Sequence, residues 1–175
     1  MELLIGEWKI RSWVPEDEAS IVKYANNLNI SINLRDSFPF PYTLTDARYW
    51  LRKVQKQQPE VAFAIASAEE AIGGIGLHID RDVFRRSAEI GYWLGEPFWG
   101  KGIATEAVRA LTTYAFRMFD LVRIYAGVFE GNAASVRVLE KAGYHFEGRL
   151  RKAVFKDGRL LDQIIYATLA DEIRM

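Results

Sequence analysis

The segment Glu89-Ile-Gly-Tyr-Trp-Leu-Gly-Glu-Pro-Phe-Trp-Gly-Lys-Gly-Ile-Ala-Thr-Glu-Ala107 holds the residue types best suited to chemistry. Its pattern predicts a strand, a glycine turn and a helix. Gly100 and Gly102 allow a close backbone approach to a ligand. The helix behind them starts with unpaired amides and a partial positive charge of about half a unit. Such an end suits phosphate or pyrophosphate. A tight turn without a ligand is the plain alternative. Gly95 to Gly102 nearly spells a Walker A loop, but Gly102 stands where a magnesium-binding hydroxyl is needed. Thr105 likewise stands where a Rossmann fingerprint needs glycine or alanine. Glu89 shares a strand face with Gly91 and Trp93, opposite Ala88, Ile90, Tyr92 and Leu94. A carboxylate on a central strand faces either a cleft, as a proton acceptor, or a partner such as Arg86.

The elements that must position these residues follow from periodicity. Trp8 to Val14 alternates as a strand, and Pro15-Glu16-Asp17 opens a helix with Ile21, Val22, Ala25 and Leu28 on one face. Residues 29–44 lack a period and include Phe38-Pro-Phe-Pro-Tyr42; a loop of that length is either functional or misassigned. Thr45 is the expected cap of a second helix carrying Ala47, Trp50, Leu51 and Val54, with Pro59 as its stop. Strands follow at 61–66, 71–77 and 88–94, then a helix from Gly102 with Ile103, Ala104, Ala107, Val108, Leu111, Ala115 and Met118 inward. A strand at 122–128 precedes a helix from Asn132 to Ala142, with Val136, Leu139 and Ala142 inward. Strands at 144–155 and 160–169 meet at Asp157-Gly158, a strong hairpin signal. The reading is α/β: one mixed, mostly antiparallel sheet of about seven strands flanked by about four helices, in a single domain over residues 1–175.

Composition limits the function. The chain has 175 residues, with 23 basic and 23 acidic side chains and no cysteine. Zero net charge argues against direct nucleic-acid binding as the main task. Lack of cysteine excludes disulfides, thiolate metal sites and a cysteine nucleophile. No apolar run reaches the roughly 20 residues of a membrane span, and no signal peptide opens the chain, so a cytoplasmic protein is expected. His78 and His145 stand singly, and no metal site is expected. Lys141, Arg149, Arg151, Lys152, Lys156 and Arg159 outnumber Glu147 and Asp157. A solvated face and an anion-binding patch both fit that stretch.

Trp99-Gly100-Lys101-Gly102-Ile103-Ala104 resembles the coenzyme A signature of the GNAT superfamily of N-acetyltransferases, with Trp99 in place of glutamine or arginine. The flanking Glu-Ile-Gly-Tyr-Trp-Leu and Ala-Thr-Glu-Ala are similar to the ribosomal-protein N-terminal acetyltransferase (RimJ/RimL-type) branch. So are Leu34-Arg-Asp-Ser-Phe-Pro39, Pro41-Tyr-Thr43, Asn132-Ala-Ala-Ser135, Glu140-Lys-Ala-Gly-Tyr144, Glu147-Gly148, Gly158-Arg-Leu-Leu-Asp162 and Tyr166. The resemblance spans nearly the whole chain and implies the acyl-CoA N-acyltransferase fold, with acetyl-CoA as co-substrate.

It further implies transfer of acetyl to a primary amine, either a protein N-terminal α-amine or a small-molecule amine such as a polyamine. Coenzyme A binding is implied for Tyr92, Trp93, Leu94, Trp99, Gly100, Lys101, Gly102, Ile103, Ala104, Thr105, Asn132 and Ser135. A bulge at Gly91 would splay neighbouring strands and admit pantetheine. Glu89 is the candidate base, acting directly or through water. Leu139 stands where the superfamily often has an acidic tyrosine, and Ser135, one turn earlier, takes the branch's serine position as candidate acid. Val154 occupies the branch's other base position. Asn132 is expected to be both helix cap and pantetheine ligand. A homodimer is compatible with this reading. The rival function is a non-catalytic acyl-CoA sensor on the same fold.

Overall fold

A computed structural model describes residues 1–173. The sheet has eight strands: β1 (Glu2–Ile5), β2 (Trp8–Ser12), β3 (Ala62–Ala66), β4 (Ala71–Ile79), β5 (Ser87–Leu94), β6 (Arg123–Phe129), β7 (His145–Lys156) and β8 (Arg159–Leu169). Their order is β1-β2-β3-β4-β5-β6-β8-β7. The helices are α1 (Glu18–Ala25), α2 (Leu28–Ser31), α3 (Leu44–Val54), α4 (Ile103–Met118) and α5 (Ala133–Ala142). None among the described residues is long and apolar enough to cross a membrane.

The chain resolves into two compact units. One holds Met1–Gly76 and Tyr92–Ala107, the other Leu77–Gly91 and the chain from Val108 onward. In the first, β1 to β4 pair antiparallel in chain order. Its core joins Trp13, Ile21, Tyr42, Leu51, Val54 and Ala64, with Phe38 and Trp93 packed against them. In the second, β6 runs parallel to β5 over three pairs, Ser87–Arg123 to Glu89–Tyr125. Strand β6 then pairs along its whole length with β8, antiparallel, and β8 pairs with β7.

Several expectations are corrected. The short β1 escapes sequence reading because four residues carry no readable period; its signal is Gly6, at positive φ in the two-residue link between Ile5 and Trp8. The 29–44 loop is partly helical, since α2 forms behind Asn27, whose side chain accepts the Asn29 amide at 2.8 Å. Leu28 and Met118 are exposed rather than inward, because α1 ends at Ala25 and Met118 closes the last turn of α4. Thr43, not Thr45, caps α3. Its hydroxyl accepts the Asp46 amide while the Asp46 carboxylate accepts the Thr43 amide, a reciprocal box that Thr45 lies inside.

Two stability outcomes follow. Thr43→Ala lowers unfolding free energy by about 1 kcal/mol in urea titration, whereas Thr45→Ala has far less effect. Burial pushes the Tyr42 phenol up to about 12, with the Asp46 charge adding to it. An unfolded tyrosine titrates near 10, so the neutral buried phenol favours folding fully below that pH. That contribution is lost as pH rises from about 10 to about 12. Thermal melts across this range show a steeper alkaline fall for wild type than for Tyr42→Phe.

Candidate active site

In the first unit the expected coenzyme residues form one continuous strand-turn-helix. Strand β4 lets the end of β5 lie unusually close. A Cβ on Gly73 would stand 2.4 Å from the Trp93 carbonyl oxygen, and one on Gly74 would stand 2.6 Å from the Trp93 indole nitrogen. Trp93 is half-buried, with its ring edge-on to Phe38 at 5.6 Å. Tyr92 is half-buried and Leu94 buried. The Gly95 amide donates to the Ile72 carbonyl at 2.8 Å. A single 3-10 turn, Glu96–Phe98, then reverses the chain, with Pro97 fixing its φ.

Gly100 and Gly102 take φ of 75° and 79°, and a Cβ on either would meet nothing within 4 Å. Backbone conformation, not crowding, demands glycine at both positions, and the space above them is open. The first intrahelical bond of α4 runs from the Glu106 amide to the Gly102 carbonyl at 3.1 Å. The amides of Ile103, Ala104 and Thr105 therefore precede the helical ladder, as anion binding at this end requires. The side chains of Ile103 and Thr105 are buried, so these two can serve a ligand only through their main chain.

Trp99 replaces a polar side chain, and its indole N–H is used locally, donating to the Leu94 carbonyl at 2.7 Å. The bond staples the turn to the strand that precedes it. Lys101 is exposed, with Nζ 5.4 Å from the centre of the Phe98 ring. That ring is itself set edge-on between Trp8 and Tyr24, at 5.6 and 5.3 Å.

In the second unit, Glu89 is half-buried on β5, directly opposite Tyr125 of β6. The Tyr125 hydroxyl reaches Asp80 at 3.4 Å, and the Arg123 guanidinium lies 4.6 Å over its ring. Burial, then the charges of Asp80 and Glu89, raise the Tyr125 phenol above its ordinary value. It stays a neutral donor at physiological pH. Arg86, the alternative partner for Glu89, binds Asp120 at 2.7 Å. Neither Tyr125 nor Asp80 stands out in the sequence, because only the parallel register brings Tyr125 beside Glu89.

Asn132 caps α5, its side chain accepting the Ser135 amide at 3.1 Å. Ser135 is half-buried in the first helical turn, and Leu139, one turn on, is fully buried. Val154 sits on β7 opposite Leu161 and brings no carboxylate. Glu89 pairs near the start of β6, while Asn132 and Ser135 follow its end. From Tyr125 to Phe129 the strand advances roughly 13 Å, so the two candidate groups sit toward opposite ends of β6. The basic stretch is not one face: Arg149 binds Glu130 and Asp162, Lys156 is buried, and Arg151, Lys152 and Arg159 are exposed.

Comparison with known proteins places this geometry in a family. The profile of the acetyltransferase (GNAT) domain matches residues 8–145. A Bacillus subtilis relative named as a probable N-acetyltransferase, YjcK, is 42% identical over 134 residues, covering 73% of this chain and 74% of its own. A spermidine N-acetyltransferase from Vibrio cholerae, solved with CoA and spermine, superposes with a TM-score of 0.78 at 26% identity, covering 95% of this chain and 97% of its own. The ribosomal L7/L12 acetyltransferase RimL, solved with coenzyme A, shares the fold with a TM-score of 0.85 at 22% identity, over 99% of this chain and 100% of its own. With the profile covering well over half its length, the chain belongs to the GNAT family of acetyltransferases.

Proposed function

We propose that the protein transfers acetyl from acetyl-CoA to a primary amine, and that its first acceptor class is a protein N-terminal α-amine. The observation that carries this reading is the open turn at Gly100 and Gly102, with the Ile103 to Thr105 amides behind it. Acetyl-CoA supplies the thioester that the amine attacks. The turn amides hold the pyrophosphate, and the main chain of Tyr92 to Leu94 lines the pantetheine. Asn132 adds a side-chain ligand to its amides. Glu89 takes the ammonium proton, and the Ser135 hydroxyl returns a proton to the sulfur.

The placement of Glu89 and Ser135 toward opposite ends of β6 favours a water between Glu89 and the amine over direct contact. Polyamines are the second acceptor class, supported by the likeness to the spermidine enzyme solved with spermine. No finding favours the non-catalytic sensor. The reading of a cytoplasmic protein built as one domain belongs to this proposal as well.

Three measurements test it. Labelled acetyl transfer is screened across N-terminal peptides, ribosomal proteins and polyamines, and transfer to none of them overturns the acceptor assignment. Gly102→Asp places a carboxylate over the cradle; calorimetry should show CoA affinity weakened by roughly tenfold or more, about 1.4 kcal/mol, with the fold retained. Ser135→Ala should lower kcat by about 100-fold, far more than it lowers CoA affinity. Unaltered turnover removes Ser135 from the mechanism.

A further inference from the structure

The cradle is flanked by a charge of the wrong sign. Glu96 lies four positions before Gly100, exposed, where its carboxylate opposes binding of a pyrophosphate. The structure nonetheless gives it two donors. Asn27 Nδ2 donates to it at 2.6 Å, and Asn29 Nδ2 reaches its two oxygens at 3.2 and 3.3 Å. These bonds, Asn27 first, hold the Glu96 carboxyl below its ordinary value. Asn27 also caps α2 by accepting the Asn29 amide, so the two amide groups are fixed before they meet Glu96.

The other ties on this turn are backbone bonds, one indole N–H bond and ring packing. Gly95 bonds Ile72, Trp99 bonds Leu94 and Glu96, and Phe98 wedges between Trp8 and Tyr24. Two glycines at positive φ have more freedom to lose than any other residues. A cradle built from them binds well only if its entry is already held in place. The Asn27–Glu96–Asn29 bridge holds that entry on the α2 side.

Resting on the coenzyme reading above, we propose that Glu96, gripped by Asn27 and Asn29, is a positioning residue for the pyrophosphate-holding turn. It acts through the Glu96–Phe98 turn, without touching the ligand. The bridge joins that turn to the start of the 29–44 region, so order imposed at one is transmitted to the other.

Charge and positioning predict opposite signs, which makes the test decisive. Calorimetry with CoA, and separately with ADP, compares wild type with Glu96→Ala, Glu96→Gln and Asn27→Ser. Serine preserves the helix cap while deleting the amide donor. Glu96→Ala and Asn27→Ser should each weaken both ligands by roughly five- to tenfold. Glu96→Gln keeps an acceptor oxygen and drops the charge, so its affinity should equal or exceed that of wild type. A melting temperature measured for each variant separates lost stability from lost affinity. Tighter binding by Glu96→Ala, or unchanged affinity in both weakened variants, overturns the positioning role while wild-type CoA binding upholds the functional reading. Absence of CoA binding in wild type overturns both.

Discussion

The seat of Trp93 against Gly73 and Gly74 of β4 is the constraint on which the candidate cofactor site rests. With Gly73 and Gly74 in place, the Trp93 carbonyl and indole come to distances that any β-carbon would forbid. That close approach fixes where β5 ends. The Gly95–Ile72 and Trp99–Leu94 bonds then fix how the chain leaves it. Everything downstream inherits the position: the 3-10 turn, the two left-handed glycines and the first amides of α4. A substitution in β4, a strand the proposed mechanism never invokes, would therefore disturb the cradle by displacing its anchor. Interior packing of this density moves by steps rather than by small deformations.

Such an anchor matters because the chain supplies little charge for anion binding. Its 23 basic and 23 acidic side chains cancel. The basic stretch after Lys141 is divided by ion pairs between Arg149 and its two carboxylates and by the burial of Lys156. Lys101 is the cation inside the turn, and it leans over Phe98. On the proposed assignment, holding a phosphate falls to backbone amides, whose strength depends on direction rather than on net charge. Direction is a property of rigid geometry, which explains why so many side chains here work locally. The Trp99 indole gives its N–H to a neighbouring carbonyl, and the Thr105 side chain is buried.

The same distinction separates what the sequence revealed from what it hid. Helix α4, with its long apolar stripe, and the hairpin at Asp157-Gly158 were legible because each is a local pattern with a local cause. The glycine turn was legible because left-handed backbone leaves few residue choices. Strand β1 is too short for a period, and Thr45 offers the same capping chemistry as Thr43 two positions later. Tyr125, Asp80 and the Asn27–Glu96–Asn29 bridge were invisible for a different reason. Their meaning lies in pairing across tens of residues, which composition and spacing do not encode. Arg86 likewise has its partner far along the chain, in Asp120.

On the proposed assignment, Ser135 takes the proton-donating role that the family resemblance gives to a tyrosine at the position of Leu139. A leucine there is fully buried and contributes to the core of the second unit, so the position has been given to packing. Ser135 lies four residues earlier, on the same helix face. Its amide is held by the Asn132 cap, which places it in the first turn of α5. At that end the helix favours negative charge, by about 0.3–1 kcal/mol at an exposed site. A hydroxyl that must give up its proton gains from that field, whereas one at position 139 would lie a turn further from it. On the proposed assignment, moving the acid from a tyrosine one turn down the helix to a serine near its start exchanges the lower pKa of a phenol for the field of a helix terminus. On that assignment the proton donor and the N-cap belong to one local structure, in which Asn132 fixes the turn that carries Ser135.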